Sequence, residues 1–86
     1  NGGALHLSAN GAVQIDNSRI IRNSATNEGG GVWNSPVGTM TLTNTLIVRN
    51  TVGVPDQGPN VFQKGPVAGG VLTVNGAVIA EGNNNN

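Results

Sequence analysis

The chain has 86 residues, with four Lys plus Arg balanced by four Asp plus Glu, 14 Gly, one Trp, one Phe, no Tyr and no Cys. So short a chain forms one small domain at most, and the scarcity of bulky side chains excludes a thick aromatic-filled core. No basic run is present to neutralise phosphates, no apolar stretch reaches the about 20 residues that cross a membrane, and the lack of cysteine excludes disulfides and thiolate metal sites, so neither nucleic acid nor membrane is expected as a partner and no cofactor is implied. The sequence opens on Asn1 without Met or a signal peptide, which reads as a processed product or an excised piece.

In chain order, the first predicted strand runs around Ala4 to Leu7, after Gly2 and Gly3, and a second around Ala12 to Ile15, where apolar and polar residues alternate. A third follows around Arg19 to Ile21, beyond Asn17, and ends before Asn23. The same three recur around Gly31 to Trp33, Thr39 to Leu42 and Leu46 to Val48. Alternation with a period of two in β-branched runs bounded by Gly and Asn predicts short half-buried strands, and no stretch has the spacing and caps of a helix.

These elements repeat at a fixed offset. Gly2 falls on Gly29, Gly3 on Gly30, Ser8 on Ser35, Gly11 on Gly38, Asn17 on Asn44, Ile20 on Ile47, Arg22 on Arg49 and Asn23 on Asn50. A looser third copy, Val71 to Ile79, echoes Met40 to Val48 and sets Asn75 on Asn44; the residues between, with Gly53, Pro55, Asp56, Gly58 and Pro59, read as a loop. Such periods indicate stacked repeats, in which each copy is one rung and each strand pairs with the next rung about 4.8 Å away. The expected architecture is a single all-β domain over 1–86, a parallel β-helix (β-solenoid) of about three rungs at 1–27, 28–59 with a loop at 51–60, and 60–86.

In that stack Val13, Ile15 and Ile20 lie under Met40, Leu42 and Ile47, with Val78 continuing the core in the third rung. Asn17, Asn44 and Asn75 are expected to form one ladder of side-chain amides, and Asn23 and Asn50, with Asn83, a second, because a buried amide must be satisfied and stacking does so. The runs Gly29-Gly30-Gly31-Val32-Trp33-Asn34-Ser35 and Gly38-Thr39-Met40-Thr41-Leu42-Thr43-Asn44-Thr45-Leu46-Ile47-Val48-Arg49-Asn50 resemble the GGGxxN and GTLTLTNSTIxxN repeats of pectate-lyase-like right-handed parallel β-helices of bacterial surface and secreted proteins. The resemblance covers about residues 2 to 52 well and 60 to 84 loosely. It implies the right-handed fold and an extracellular or cell-surface location, while enzymes, adhesins and stalks all share the repeat.

No catalytic constellation emerges from the titratable residues, and the chain reads as a non-enzyme. His6, the sole histidine, aligns with Trp33 and has neither a carboxylate nor a second ligand placed beside it. Asp16, Glu28, Asp56 and Glu81 occupy unrelated repeat positions, whereas a lyase needs clustered carboxylates for Ca²⁺ and a hydrolase two facing carboxyls. Arg22 over Arg49 places like charges on neighbouring rungs, either as a solvated face or as a contact for an anion such as an acidic polysaccharide. Thr39, Thr41 and Thr43 form an outward row, but the first rung has Ala12, Gln14 and Asp16 there, so no regular Thr array repeats. Trp33 and Phe62 are candidate sugar platforms, with packing the commoner use of such rare aromatics.

A three-rung stack has two open edges of unpaired backbone groups, which solenoids cover with terminal caps. Neither the Asn1-Gly2-Gly3 start nor the Asn83 to Asn86 tail reads as a cap. The expected function is therefore a structural subunit that stacks head to tail on other copies of itself into an extracellular filament or sheath. The alternatives are a repeat segment of a large surface adhesin and, behind it, a polysaccharide-binding or polysaccharide-cleaving fragment.

Overall fold

The computed structural model describes residues 1–55, 57–79 and 84–85, with Val78, Asn84 and Asn85 described by their backbone. The described residues form strands and no helix: β1 (Leu5–Leu7), β2 (Ala12–Asp16), β3 (Arg19–Ile21), β4 (Ser24–Ala25), β5 (Val32–Asn34), β6 (Thr39–Thr43), β7 (Leu46–Val48), β8 (Thr51–Val52), β9 (Val61–Gln63), β10 (Val71–Asn75), β11 (Val78–Ile79) and β12 (Asn84–Asn85).

The strands sort into four sheets in a fixed cyclic order. The first sheet is β1-β5-β9-β12, the second β2-β6-β10, the third β3-β7-β11 and the fourth β4-β8. Each pairing is parallel. The chain thus passes through the same sheets level by level, each of three passes adding a strand to the first three sheets and the first two passes also adding one to the fourth. The region expected to be loop from residue 51 opens on a strand, because Ser24 and Ala25 pair with Thr51 and Val52.

Alternation decides which side chains turn inward. In the second sheet Val13 pairs with Met40 and Leu72, and Ile15 with Leu42 and Val74. In the third, Ile20 and Ile79 flank Ile47. Val32, Met40, Leu42 and Ile47 of the middle level are fully buried, while Leu5, Leu7, Ile15, Leu72 and Ile79 of the outer levels are half-buried against them. Each fully buried aliphatic side chain of this kind contributes about 1.5–3 kcal/mol relative to exposure.

Between the first and second levels the separation is 27 residues, as at Asn23 and Asn50. It grows to 29 at Asn34 and Gln63, then to 32 where Thr39 pairs with Val71 (71 less 39). The extra residues therefore fall in two turns. One lies between Val52 and Val61; the other, Lys64 to Gly70, contains a cis Gly65–Pro66 bond and docks on the turn below through Ala68 and Gly70 N–H bonds to the Pro36 carbonyl, each 2.8 Å. This corrects the expected register: Asn75 pairs with Thr43, not Asn44, and Val78 pairs with Leu46, so Ile79 rather than Val78 continues the Ile20 and Ile47 column.

The corners have two devices. At the entry to the first sheet, Gly3 N–H donates to the Gly29 carbonyl and Gly30 N–H to the Gly58 carbonyl; Pro59 stands at the same place one level on, without an N–H to give. A Cβ on Gly30 would collide with the carbonyl oxygens of Thr51 and Pro59, so the close approach of two corners requires glycine there. At the exits of β2 and β6, Asn17 and Asn44 adopt φ of 50° and 48°, and Gly76 takes φ 64° in the same column.

Candidate assembly interface

Three side-chain columns run across the levels, between end strands that are paired on one side only. The first column is centred on Asn50, which is 4% exposed. Its Oδ1 accepts from the Asn23 backbone N–H at 2.8 Å and from Asn23 Nδ2 at 3.1 Å. Its Nδ2 faces the Ile20 carbonyl at 3.0 Å, the Val48 carbonyl at 3.1 Å and Asn60 Oδ1 at 2.9 Å, so two hydrogens serve three acceptors. The Asn50 N–H also donates to Asn60 Oδ1, at 3.2 Å. The third member of the ladder is Asn60, arriving at the start of β9; Asn83, expected in that role, lies outside the described residues.

The other expected ladder is not one of amides. Asn17 and Asn44 are exposed, and among the described residues neither side chain has a hydrogen-bond partner. Their backbones carry the contact instead, Asn17 N–H donating to the Thr43 carbonyl at 2.9 Å and Asn44 N–H to the Asn75 carbonyl at 3.0 Å. Asn is used here because it tolerates left-handed backbone better than other non-glycine residues, and Gly76 takes over where Asn75 was expected.

A second buried polar column was missed in the sequence. Asn34, fully buried, donates from Nδ2 to Gln63 Oε1 at 2.7 Å and to the Gly38 carbonyl at 3.0 Å, and Gln63 Nε2 donates to the Ser35 carbonyl at 2.9 Å. Asn34 Oδ1 is left without a partner, on the side where Leu7 rather than an amide occupies the level below. The signal was available: Gly58, Val61, Phe62 and Gln63 match Gly29, Val32, Trp33 and Asn34 at an offset of 29.

On the outer face of the first sheet His6, Trp33 and Phe62 pair in register. The His6 and Trp33 rings stack at 4.3 Å with 3° between their planes, Trp33 is 8% exposed and Phe62 is fully buried. Trp33 Nε1 donates to Glu28 Oε1 at 2.8 Å, and Glu28 Oε2 lies 3.6 Å from Lys64 Nζ. The His6 and Trp33 rings are thus consumed by stacking on each other, and Phe62 is closed off by burial. Trp33 offers no open face for a sugar.

Arg22 and Arg49 follow β3 and β7 at the same place in successive levels, both exposed and both at positive φ, 60° and 59°. Neither guanidinium has a hydrogen-bond or ion-pair partner among the described residues. Outward on the second sheet, Thr41 is flanked by Gln14 and Thr73, and Thr43 by Asp16 and Asn75, where Gln14 Nε2 bonds both Asp16 carboxylate oxygens at 3.1 and 3.2 Å. Among the described residues no three His, Cys, Asp or Glu converge as a metal site, and no pocket opens. Asp56 and Glu81 lie outside them.

Among the described residues the edge strands are β1, β2, β3 and β4 at one end and β8, β10, β11 and β12 at the other. At the far end Val74, an inward position over Leu42, is 44% exposed. No family model, curated protein or solved structure matches the chain.

Proposed function

We propose that the chain is a three-rung, right-handed parallel β-solenoid of the extracellular space or cell surface, a structural subunit that stacks head to tail on other copies of itself and performs no catalysis. One observation carries the reading: the middle level is sealed, whereas the inward columns of the outer levels, Ile15 below and Leu72 and Val74 above, remain part-exposed beside strands paired on one side only. Unpaired edges with apolar side chains are templates for a further strand. Because the two ends differ, their contact is heterologous and propagates into a filament. In such a joint Leu72 and Val74 meet the next copy's Val13 and Ile15, as Met40 and Leu42 do within the chain.

Electron microscopy and fibre diffraction of the purified protein test this. Filaments with an axial repeat of about 14 Å, three spacings of about 4.8 Å, are expected; a monomer that persists at high concentration refutes it. The same open edges also suit a reading as a repeat segment of a longer surface adhesin, which many further rungs on either side in the gene would favour. The Arg22 and Arg49 column, exposed and without an ion-pair partner among the described residues, then supplies a contact for an acidic polysaccharide.

A further inference from the structure

We propose that Asn84–Asn85 occupies, on β9, the seat that β1 of a second copy takes during stacking, so that β12 is a self-plug exchanged on assembly. This rests on the head-to-tail reading above. In the first sheet β9 has β5 on one side and β12 on the other, with Asn84 on Phe62 and Asn85 on Gln63. Within the chain His6 sits on Trp33 and Leu7 on Asn34, which in turn sit on Phe62 and Gln63. The two residues of β12 therefore stand in the column of His6 and Leu7, one level beyond β9.

The path to β12 differs from the earlier turns. Residues 22–31 and 49–60 separate the third-sheet strands from the next first-sheet strands and include a strand of the fourth sheet, β4 or β8. Between β11 and β12 there are only residues 80–83, against residues 22–31 and 49–60 at the two earlier passages. The outer edge of β9 is thus taken by β12, while β10 and β11 are paired on one side only.

A second copy laying its β2 on β10 and its β3 on β11 brings its β1 to the level that β12 holds. Both strands cannot share one spacing of about 4.8 Å, so one leaves. The incoming strand has the stronger claim. It is longer, its Leu5-His6-Leu7 sequence pairs better than two asparagines, and His6 can stack on Phe62 as it does on Trp33. The plug's advantage is that it is tethered, which holds single copies apart at low concentration.

The critical concentration for assembly, read by sedimentation, tests the exchange in both directions. Asn84→Pro with Asn85→Pro removes the donors of β12 and is expected to lower that concentration about tenfold, whereas Asn84→Val with Asn85→Ile, which strengthens the strand, is expected to raise it about tenfold. His6→Ala in the proline background is expected to reverse part of the gain. Wild type and both double variants assembling at one concentration overturns the plug and leaves head-to-tail stacking standing. No assembly by wild type or the proline variant, each folded by circular dichroism, overturns the stacking reading and the plug with it.

Discussion

Replacing Asn50 by alanine tests whether amide stacking, rather than the thin apolar interior, fixes adjacent levels. The substitution takes the Nδ2 donor from the Ile20 and Val48 carbonyls and the Oδ1 acceptor from the Asn23 N–H, at a site 4% exposed. Each buried group left without a partner costs about 1–3 kcal/mol, with some relief where water reaches the opened corner. The expected loss is about 3–4 kcal/mol. That is a large share of the stability of a domain this size, typically about 5 kcal/mol. Asn44→Ala removes an exposed amide with no partner and is expected to cost only the left-handed backbone preference, about 0.5–1 kcal/mol. Urea denaturation followed by the fluorescence of Trp33 measures both. An Asn50→Ala loss under about 1 kcal/mol, or no larger than that of Asn44→Ala, refutes the reasoning.

Gly30→Ala drives a methyl group into the carbonyl oxygens of Thr51 and Pro59 and is expected to cost more than about 3 kcal/mol or prevent folding, seen as loss of the cooperative thermal transition. Arg49→Gly relieves a left-handed arginine and is expected to raise stability by about 0.5 kcal/mol in the same urea assay; a loss there shows that the side chain has a packing role. Asn34→Ala and Gln63→Ala share the 2.7 Å amide bond, so their double-mutant cycle is expected to give a coupling of about 1 kcal/mol, and strict additivity contradicts the column.

The first two levels were legible because their repeat is ungapped and carries both the alternation and the corner residues. Asn23 on Asn50 could be placed from spacing alone. The third level was not, because its length changes at two turns and the likeness of Val71 to Asn75 with Met40 to Asn44 favours an offset one residue short. The alternation argues against that offset: it sets Thr73 inward on Leu42 and turns Leu72 and Val74 to the outside, the inversion that any one-residue slip of a strand produces. Asn60 and Gln63 are concealed in the sequence for a related reason. Their stretch, rich in Gly and Pro, looks like loop, yet Gly58 to Gln63 rebuilds the entry to the first sheet with Pro59 and Asn60 in place of two glycines. The exposed Asn17 and Asn44 show the converse limit. A repeating Asn marks a repeating need, and backbone conformation and amide stacking leave the same trace in sequence.

If copies stack as proposed, Pro59 gives the stack a mechanical grain. Inside one copy the entry corner of each level is tied to the next by the Gly3 and Gly30 N–H groups, but the tie that would leave from the third level is missing because a pyrrolidine nitrogen has no hydrogen. In the proposed filament the seam between copies would lack this corner bond, which both seams within a copy have. A fibre of such subunits pulled along its axis is then expected to part between copies.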